Sequence, residues 1–365
     1  MLSKIRNTAA QIAAAAVSES FPSVQVQTVE ETSVGFSCDL LFPHPLHPEF
    51  HLQIEETMRQ IVREHREIRE SEMVPISARE FFKSQGYPKE LSGQNLIAIV
   101  QIGAFCNLSR GKHLTNTSLL NAFKLFPVQQ LAGKGIRITG TAYPTKQELK
   151  KFLKKWIAYP KVRHEVLGEK RGLWQILPEG FFWMPKGQHV REQLICFFKE
   201  NLFQDAQGIA LPETERRHAL WAEWIQKNNT SLIEILPIEN HPAEGLLDPQ
   251  NGIELTYACT KEKFISFLQS ARKTLNMLDF SYCTRLIVPK RKGKDLQALA
   301  QVFESLQWSY EVVKTEKGIL QVQYLVVDGL DRKWSVVDVH MMDELMIGQV
   351  TVERTLALLL EDQAT

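Results

Sequence analysis

The string Asn107-Leu108-Ser109-Arg110-Gly111-Lys112-His113 is the most specific short stretch of the chain. Two others follow it in order, Ala122-Phe123-Lys124-Leu125 and Gly140-Thr141-Ala142-Tyr143-Pro144-Thr145-Lys146-Gln147-Glu148-Leu149. Upstream of the first lies an apolar strand over residues 96–102. Downstream, the third runs into a basic helix over 146–155, which breaks at Tyr159-Pro160 because proline disfavours helix on its N-terminal side. A domain boundary is placed there, giving segments 1–157 and 158–365.

The flanking patterns set the fold class. Residues 5–20 read as an Ala-rich helix that stops at Phe21-Pro22, and residues 33–42 as a strand. Residues 49–67 read as a helix with Leu52, Ile54, Met58, Ile61 and Val62 at helical spacing, and a second helix follows over 78–85. Beyond the boundary, strands over 180–184, 233–237, 252–258, 319–327 and 334–340 are interspersed with helices over 190–201, 261–275 and 294–306. The class is α+β, with an antiparallel or mixed sheet flanked by helices in the second half. Trp221 and Trp224 fit a helical interior.

Composition narrows the function classes. A length of 365 residues favours two domains, and 44% hydrophobic with 23% charged residues describes a globular protein. The 43 basic and 42 acidic side chains nearly cancel, so nucleic-acid contacts have to be local. Five cysteines without C-x-x-C spacing argue against a disulfide framework and suit a reducing cytoplasm. Residues 1–17 carry basic groups, no acids and an Ala-rich run; a transit or signal peptide is weighed, but the apolar stretch is short and lacks bulky residues. No stretch approaches the ~18 apolar residues needed to span a bilayer. His44, His47 and His51 have ligand-like spacing, yet two prolines lie among them and no fourth ligand is visible.

The three strings, in this order and spacing, resemble the second additional (editing-type) domain shared by threonyl- and alanyl-tRNA synthetases. The patterns there are close to D-x-C-R-G-x-H, A-F-K-L and G-T-A-[FWY]-x-[DT]-K-x-E-L. Residues 178–187 then resemble the P-G-x-x-F-W-x-x-x-G approach to motif 1 of the class II synthetase core, and Pro212 falls at the motif 1 proline. The resemblance covers nearly the whole chain. It implies an editing-type α+β domain followed by a class II synthetase-like antiparallel sheet.

The same resemblance implies losses at each reactive position. An H-x-x-x-H pair on the first helix falls on Asn7 and Gln11, the loop cysteine on Ser109 and a nearby aspartate on Asn107, while His113 survives beside Arg110. Lys89 aligns loosely with an editing lysine. Amides are poor zinc ligands and no general bases near neutral pH, so this pocket is expected to bind without efficient hydrolysis. Ser109 and His113 remain the candidates for residual catalysis; the alternative for His113 is a structural histidine capping a loop. In the core, the zinc cysteine falls in a deletion between Asn229 and Ile235, and the two zinc histidines fall on Thr256 and Leu345. Glu239 stands at the motif 2 arginine position, where an anion repels the phosphate it ought to clamp. Motif 3 keeps Glu353-Arg354, and Arg354 is either a nucleotide contact or a helix-surface arginine paired with Glu353 or a neighbouring acid.

No metal or cofactor is assigned: zinc lacks ligands, and for ATP the altered motif 2 stands against the surviving Arg354. The expected function is that of a degenerate threonyl-tRNA synthetase-like paralogue binding tRNA acceptor ends or another partner in an accessory role. A trans-editing deacylase of mischarged tRNA is the alternative, and threonine-tRNA ligation a third. A homodimer through motif 1 is expected, with no membrane and no DNA partner. Tentacles for phosphate are sought in the basic runs 146–155 and 290–294, with Trp156 as a stacking residue; the alternative is a solvated helix face and a basic turn.

Overall fold

The computed structural model describes residues 1–42, 49–84, 96–131, 135–177, 180–211, 216–239, 247, 251–289, 293–315, 318–342 and 345–363. They form two compact units, Met1–Lys155 and Trp156–Thr365. Both mix helices with largely antiparallel sheets, the α+β class expected.

The first unit is built around helix α1 (Leu2–Ser20). Every residue from Ile5 to Val17 is buried, so the Ala-rich run forms the centre of a folded core. Alanine lets the helix lie close to its neighbours at little entropic cost. Strands β1 (Gln25–Glu31) and β2 (Phe36–Leu41) precede helix α2 (Phe50–Arg63), whose buried face carries Phe50, Ile54, Met58 and Ile61. Next come β3 (Ile68–Met73), α3 (Pro75–Ser84), β4 (Ile97–Ile102) and β5 (Phe105–Leu108). The unit ends with β6 (Ala122–Leu125), β7 (Gln129–Gln130), β8 (Gly135–Tyr143) and the start of α4 (Lys146–Val162). One sheet has the order β1-β2-β8-β6 with β7 also on β8; a second is β3-β4-β5.

The expected break at Tyr159-Pro160 is corrected: α4 continues through Pro160 to Val162. Proline forfeits one backbone hydrogen bond, but it sits in the last turn, where Arg163 N–H still reaches Tyr159 O at 2.9 Å. Tyr159 is also pinned by its hydroxyl, which donates to Glu361 at 3.1 Å and accepts from Arg332 at 3.0 Å.

The second unit opens with α5 (His164–Lys170), the hairpin β9 (Trp174–Leu177) and β10 (Gly180–Trp183), and α6 (Pro185–Asn201). Then come β11 (Ala206–Gly208), α7 (Arg217–Asn228), β12 (Ser231–Glu239), β13 (Asn251–Thr260) and α8 (Phe264–Met277). The remainder is β14 (Tyr282–Pro289), α9 (Gly293–Ser305), β15 (Glu311–Thr315), β16 (Leu320–Val327), β17 (Lys333–Met341), β18 (Leu345–Thr351) and α10 (Val352–Asp362). The eight-stranded sheet runs β11-β12-β13-β18-β17-β16-β14-β15, antiparallel except at its two edge pairings. Leu255, Tyr257, Val350, Val337, Val339, Val322 and Leu286 lie in one core with Phe198, Phe267, Phe303 and Leu356 of the helices. Strand alternation therefore puts Thr256, Gln349, Asp338, Gln323 and Arg285, which are register partners in one row, on the opposite face. Trp221 is buried within α7, as expected for a helical interior. Among the described residues no helix is long and apolar enough to cross a membrane, and all five cysteines are free.

Candidate functional site

In the first unit, α1 and the loop 107–113 form one buried polar contact. The Gln11 side-chain amide donates to Leu108 O at 3.0 Å, and its oxygen accepts from Asn107 Nδ2 at 3.1 Å. Asn7, one turn earlier on the same helix face, lies against Gly111: a Cβ there would stand 2.4 Å from Asn7 Nδ2. Thr8 completes the join, since its hydroxyl donates to Lys4 O and accepts the Leu114 N–H at 2.8 Å. The structure thus brings Asn7, Gln11 and Asn107 to one place, all of them buried. Arg6, also buried, donates to Ser33 O at 2.9 Å and lies over the Tyr143 ring.

Ser109 and Arg110 stand apart from that contact. Ser109 is half-buried and its hydroxyl donates to Gly111 O at 2.9 Å, while Arg110 is exposed and meets Glu30 at 3.4 Å. Lys89 lies outside the described residues, as do Pro212, His44 and His47.

His113 has a partner that the sequence did not reveal. Glu70 Oε1 accepts both its backbone N–H and its ring Nδ1–H, each at 2.8 Å. Sheet register explains the meeting: Glu70, Val100 and Asn107 are partners in one row of β3-β4-β5, so Glu70 is carried to the start of the loop. The imidazole side chain is only 1% exposed. Burial pushes its pKa below the ordinary 6.5, against the opposing pull of the Glu70 carboxylate. As pH falls below about 6.5 the unfolded chain takes up a proton that the folded one resists, so stability declines with falling pH. Amide hydrogen exchange across α1 is expected to quicken as pH is lowered from 7 toward 5, after correction for intrinsic rates. His113→Asn is expected to flatten that dependence; an unchanged slope would remove His113 as its source.

In the second unit, the positions that the resemblance aligned with ligation groups are Thr256, Leu345 and Glu239. Thr256 is buried and donates to Glu254 Oε1 at 2.8 Å, an oxygen that also accepts from Gln349 at 2.7 Å. Leu345 packs in an apolar cluster with Trp221, Ile225, Leu232, Ala258 and Ile347. Glu239 closes β12, its backbone in register with Asn251; its side chain is outside the described set. The pairing weighed for Arg354 with Glu353 is corrected. Glu353 is fully buried and holds Arg191, while Arg354 donates to Leu247 O at 2.6 Å and Ser335 O at 2.9 Å and lies 5.8 Å from the Trp334 ring centroid. Adjacent residues of α10 point about 100° apart, so each found its own partner.

One cluster has the composition of a metal site. His164, Glu165 and Glu361 place potential ligand atoms within 4.8 Å of one another. Glu361 already accepts His164 N–H at 3.0 Å, His164 Nδ1–H at 2.8 Å, Gly329 N–H at 3.0 Å and the Tyr159 hydroxyl at 3.1 Å. Burial raises its pKa, but the bonds from His164 and Gly329 outweigh that and hold it below the ordinary 4.5. A carboxylate so fully donated to needs no cation, and the cluster fits a structural junction.

No family model matches the chain. Its sequence is similar to a threonine–tRNA ligase of Lawsonia intracellularis, 32% identical over 237 residues that make up 60% of this chain and 37% of that protein. A threonine–tRNA ligase of Alkalilimnicola ehrlichii matches over 368 residues at 26% identity, covering 95% of this chain and 55% of the relative. In sequence the chain is thus similar to threonyl-tRNA synthetases. The synthetase-like chain spans 37–55% of the length of these relatives. Among solved structures, the RNA binding domain of threonyl-tRNA synthetase from Cryptosporidium parvum aligns with 56% of this chain and 73% of its own, with a TM-score of 0.47 and 14% identity.

Proposed function

We propose that this chain holds the acceptor end of a tRNA in its first unit without hydrolysing or ligating it, in an accessory or regulatory role. The observation that carries the reading is the Asn107–Gln11 pair. Two positions where the resembled family has a carboxylate and a histidine hold amides that satisfy each other at 3.1 Å and are buried. Amides bind by hydrogen bonding but neither take up protons nor hold zinc well near neutral pH. The similarity to threonine–tRNA ligases along most of the chain supports tRNA as the ligand class. A homodimer and a cytoplasmic setting belong to the same proposal.

A second reading, a deacylase acting in trans, has one observation in its favour. With Nδ1–H donated to Glu70, the His113 Nε2 is the unprotonated acceptor, the form a general base needs. Its 1% exposure counts against contact with a substrate. Ligation has less support still, because Glu239, Thr256 and Leu345 replace the groups that clamp phosphate and zinc.

The test is equilibrium binding of a full-length tRNA and of the same tRNA lacking its three 3′-terminal nucleotides. Losing stacked or hydrogen-bonded bases costs about 1–3 kcal/mol each, so trimming is expected to weaken binding by about tenfold or more. Equal affinities would remove the acceptor-end pocket from the account. No affinity for either RNA would remove tRNA altogether.

A further inference from the structure

A cavity of about 170 Å³ opens in the second unit between the end of α6, the turn over 203–206 and the first two turns of α8. It lies on the face of the large sheet that carries Tyr257, away from the row holding Thr256 and Gln349. Pockets for drug-sized ligands run to about 300–1,000 Å³, so this space takes one small ring and no nucleotide. Its floor is apolar but closed. The Tyr257 and Phe267 rings lie nearly parallel at 5.0 Å, and Tyr257, Phe267 and Leu202 are only 2–4% exposed. A ligand finds little apolar surface to cover there, which argues against an apolar one. One wall carries an ion pair that is already complete. Asp205 accepts from Lys263, from the Ser231 hydroxyl at 3.0 Å and from the Tyr257 hydroxyl at 3.0 Å, and Lys263 also donates to Ser231 Oγ at 2.8 Å. The two charges cancel where they stand, so this wall calls for no charged ligand. The rest of the lining is neutral and has hydrogen-bonding capacity left. Among the described residues the Gln204 amide and the Ser270 hydroxyl have no hydrogen-bond partner. Asn201 donates Nδ2 to Phe197 O at 2.8 Å and leaves Oδ1 open, and Lys263 keeps one N–H to give.

We infer that this cavity binds a neutral polyhydroxyl ligand of one ring, a monosaccharide. Side-chain amides suit such a ligand because each carries donors and an acceptor in one plane, matching neighbouring hydroxyls that both give and take hydrogen bonds. Ser270 adds a hydroxyl that does either, and Lys263 a further donor. A zwitterionic amino acid fits less well. To match its two charges the Asp205–Lys263 pair has to open, which takes hydrogen bonds from Ser231 and Tyr257 as well. The inference stands apart from the tRNA reading, since no residue of the first unit enters it.

The experiment is saturation-transfer NMR on the full chain with D-ribose, D-glucose and D-galactose, each alone, and with L-serine as the zwitterion. At least one sugar is expected to bind with a Kd on the order of 1 mM, the range open to a ligand this small. Gln204→Ala, at an exposed turn position, is expected to weaken that sugar about two- to tenfold through one lost neutral hydrogen bond. Ser270→Phe fills the cavity and is expected to abolish the signal. Circular dichroism checks that the variants fold; should Ser270→Phe fail that check, Gln204→Trp obstructs the same cavity from the exposed turn. Sugar binding is expected to be unchanged between about 0.05 and 0.5 M salt, because a neutral ligand has no charge to screen. Absence of binding by all three sugars, sugar binding that no variant weakens, or binding of L-serine alone would each overturn the inference.

Discussion

Replacing Glu353 by alanine is expected to lower the stability of the second unit by about 3–5 kcal/mol, the usual cost of leaving a buried charge without its partner. Glu353 is 0% exposed and the Arg191 side chain 14%. Its other oxygen accepts the Ile253 N–H at 2.7 Å, so the carboxylate joins α6, β13 and α10. Arg191 also lies 5.2 Å from the Trp183 ring centroid. Alanine strands a guanidinium and a backbone N–H together, whereas glutamine keeps an acceptor and is expected to cost less. The readout is clean, because all seven tryptophans lie between residues 156 and 334 and tryptophan fluorescence reports the second unit alone. For a unit of this size the loss corresponds to a fall in Tm on the order of 10 °C. A shift of under about 2 °C would mean that the pair contributes little.

That expectation changes what motif 3 means in this chain. The Glu353-Arg354 pair was legible as a string, and the helix around it was legible from its apolar spacing. What each side chain touches was not, because Arg191, Leu247 and Ser335 are distant in sequence. The first unit shows the same division. Its helices could be read from periodicity, and the amides at 7, 11 and 107 could be placed on one pocket by resemblance. Glu70 could not: β3 reads Ile68-Arg69-Glu70-Ser71-Glu72-Met73, mostly polar, and only the pairing of three strands brings it to His113. β18 was also missed. Gly348 interrupts its pattern, and glycine in a strand reads as a turn; the structure shows the Phe267 ring so close that a Cβ would stand 2.4 Å from it. Pro160 misled in the opposite direction, since the last turn of a helix tolerates a lost hydrogen bond that its interior does not.

The second large effect concerns chemistry. A positioned acid or base typically contributes about 10²–10⁴-fold to proton-transfer steps, and the resembled editing pocket has several such groups. Here Asn107 and Gln11 bond each other, Ser109 turns its hydroxyl to Gly111, and the buried His113 ring is bonded to the half-exposed Glu70. Ester hydrolysis is therefore expected to run at close to the rate of free seryl-tRNA. His113→Ala is expected to destabilise the first unit without changing that rate.

The central claim, a retained scaffold that binds tRNA and has given up the reaction, is tested most directly by incubating the purified chain with seryl-tRNA at saturating protein. Bound RNA and released serine are followed in the same samples. The account predicts that the RNA is bound while the ester decays as slowly as in buffer. Serine release well above that background, abolished by His113→Ala in a variant that still folds, would contradict it.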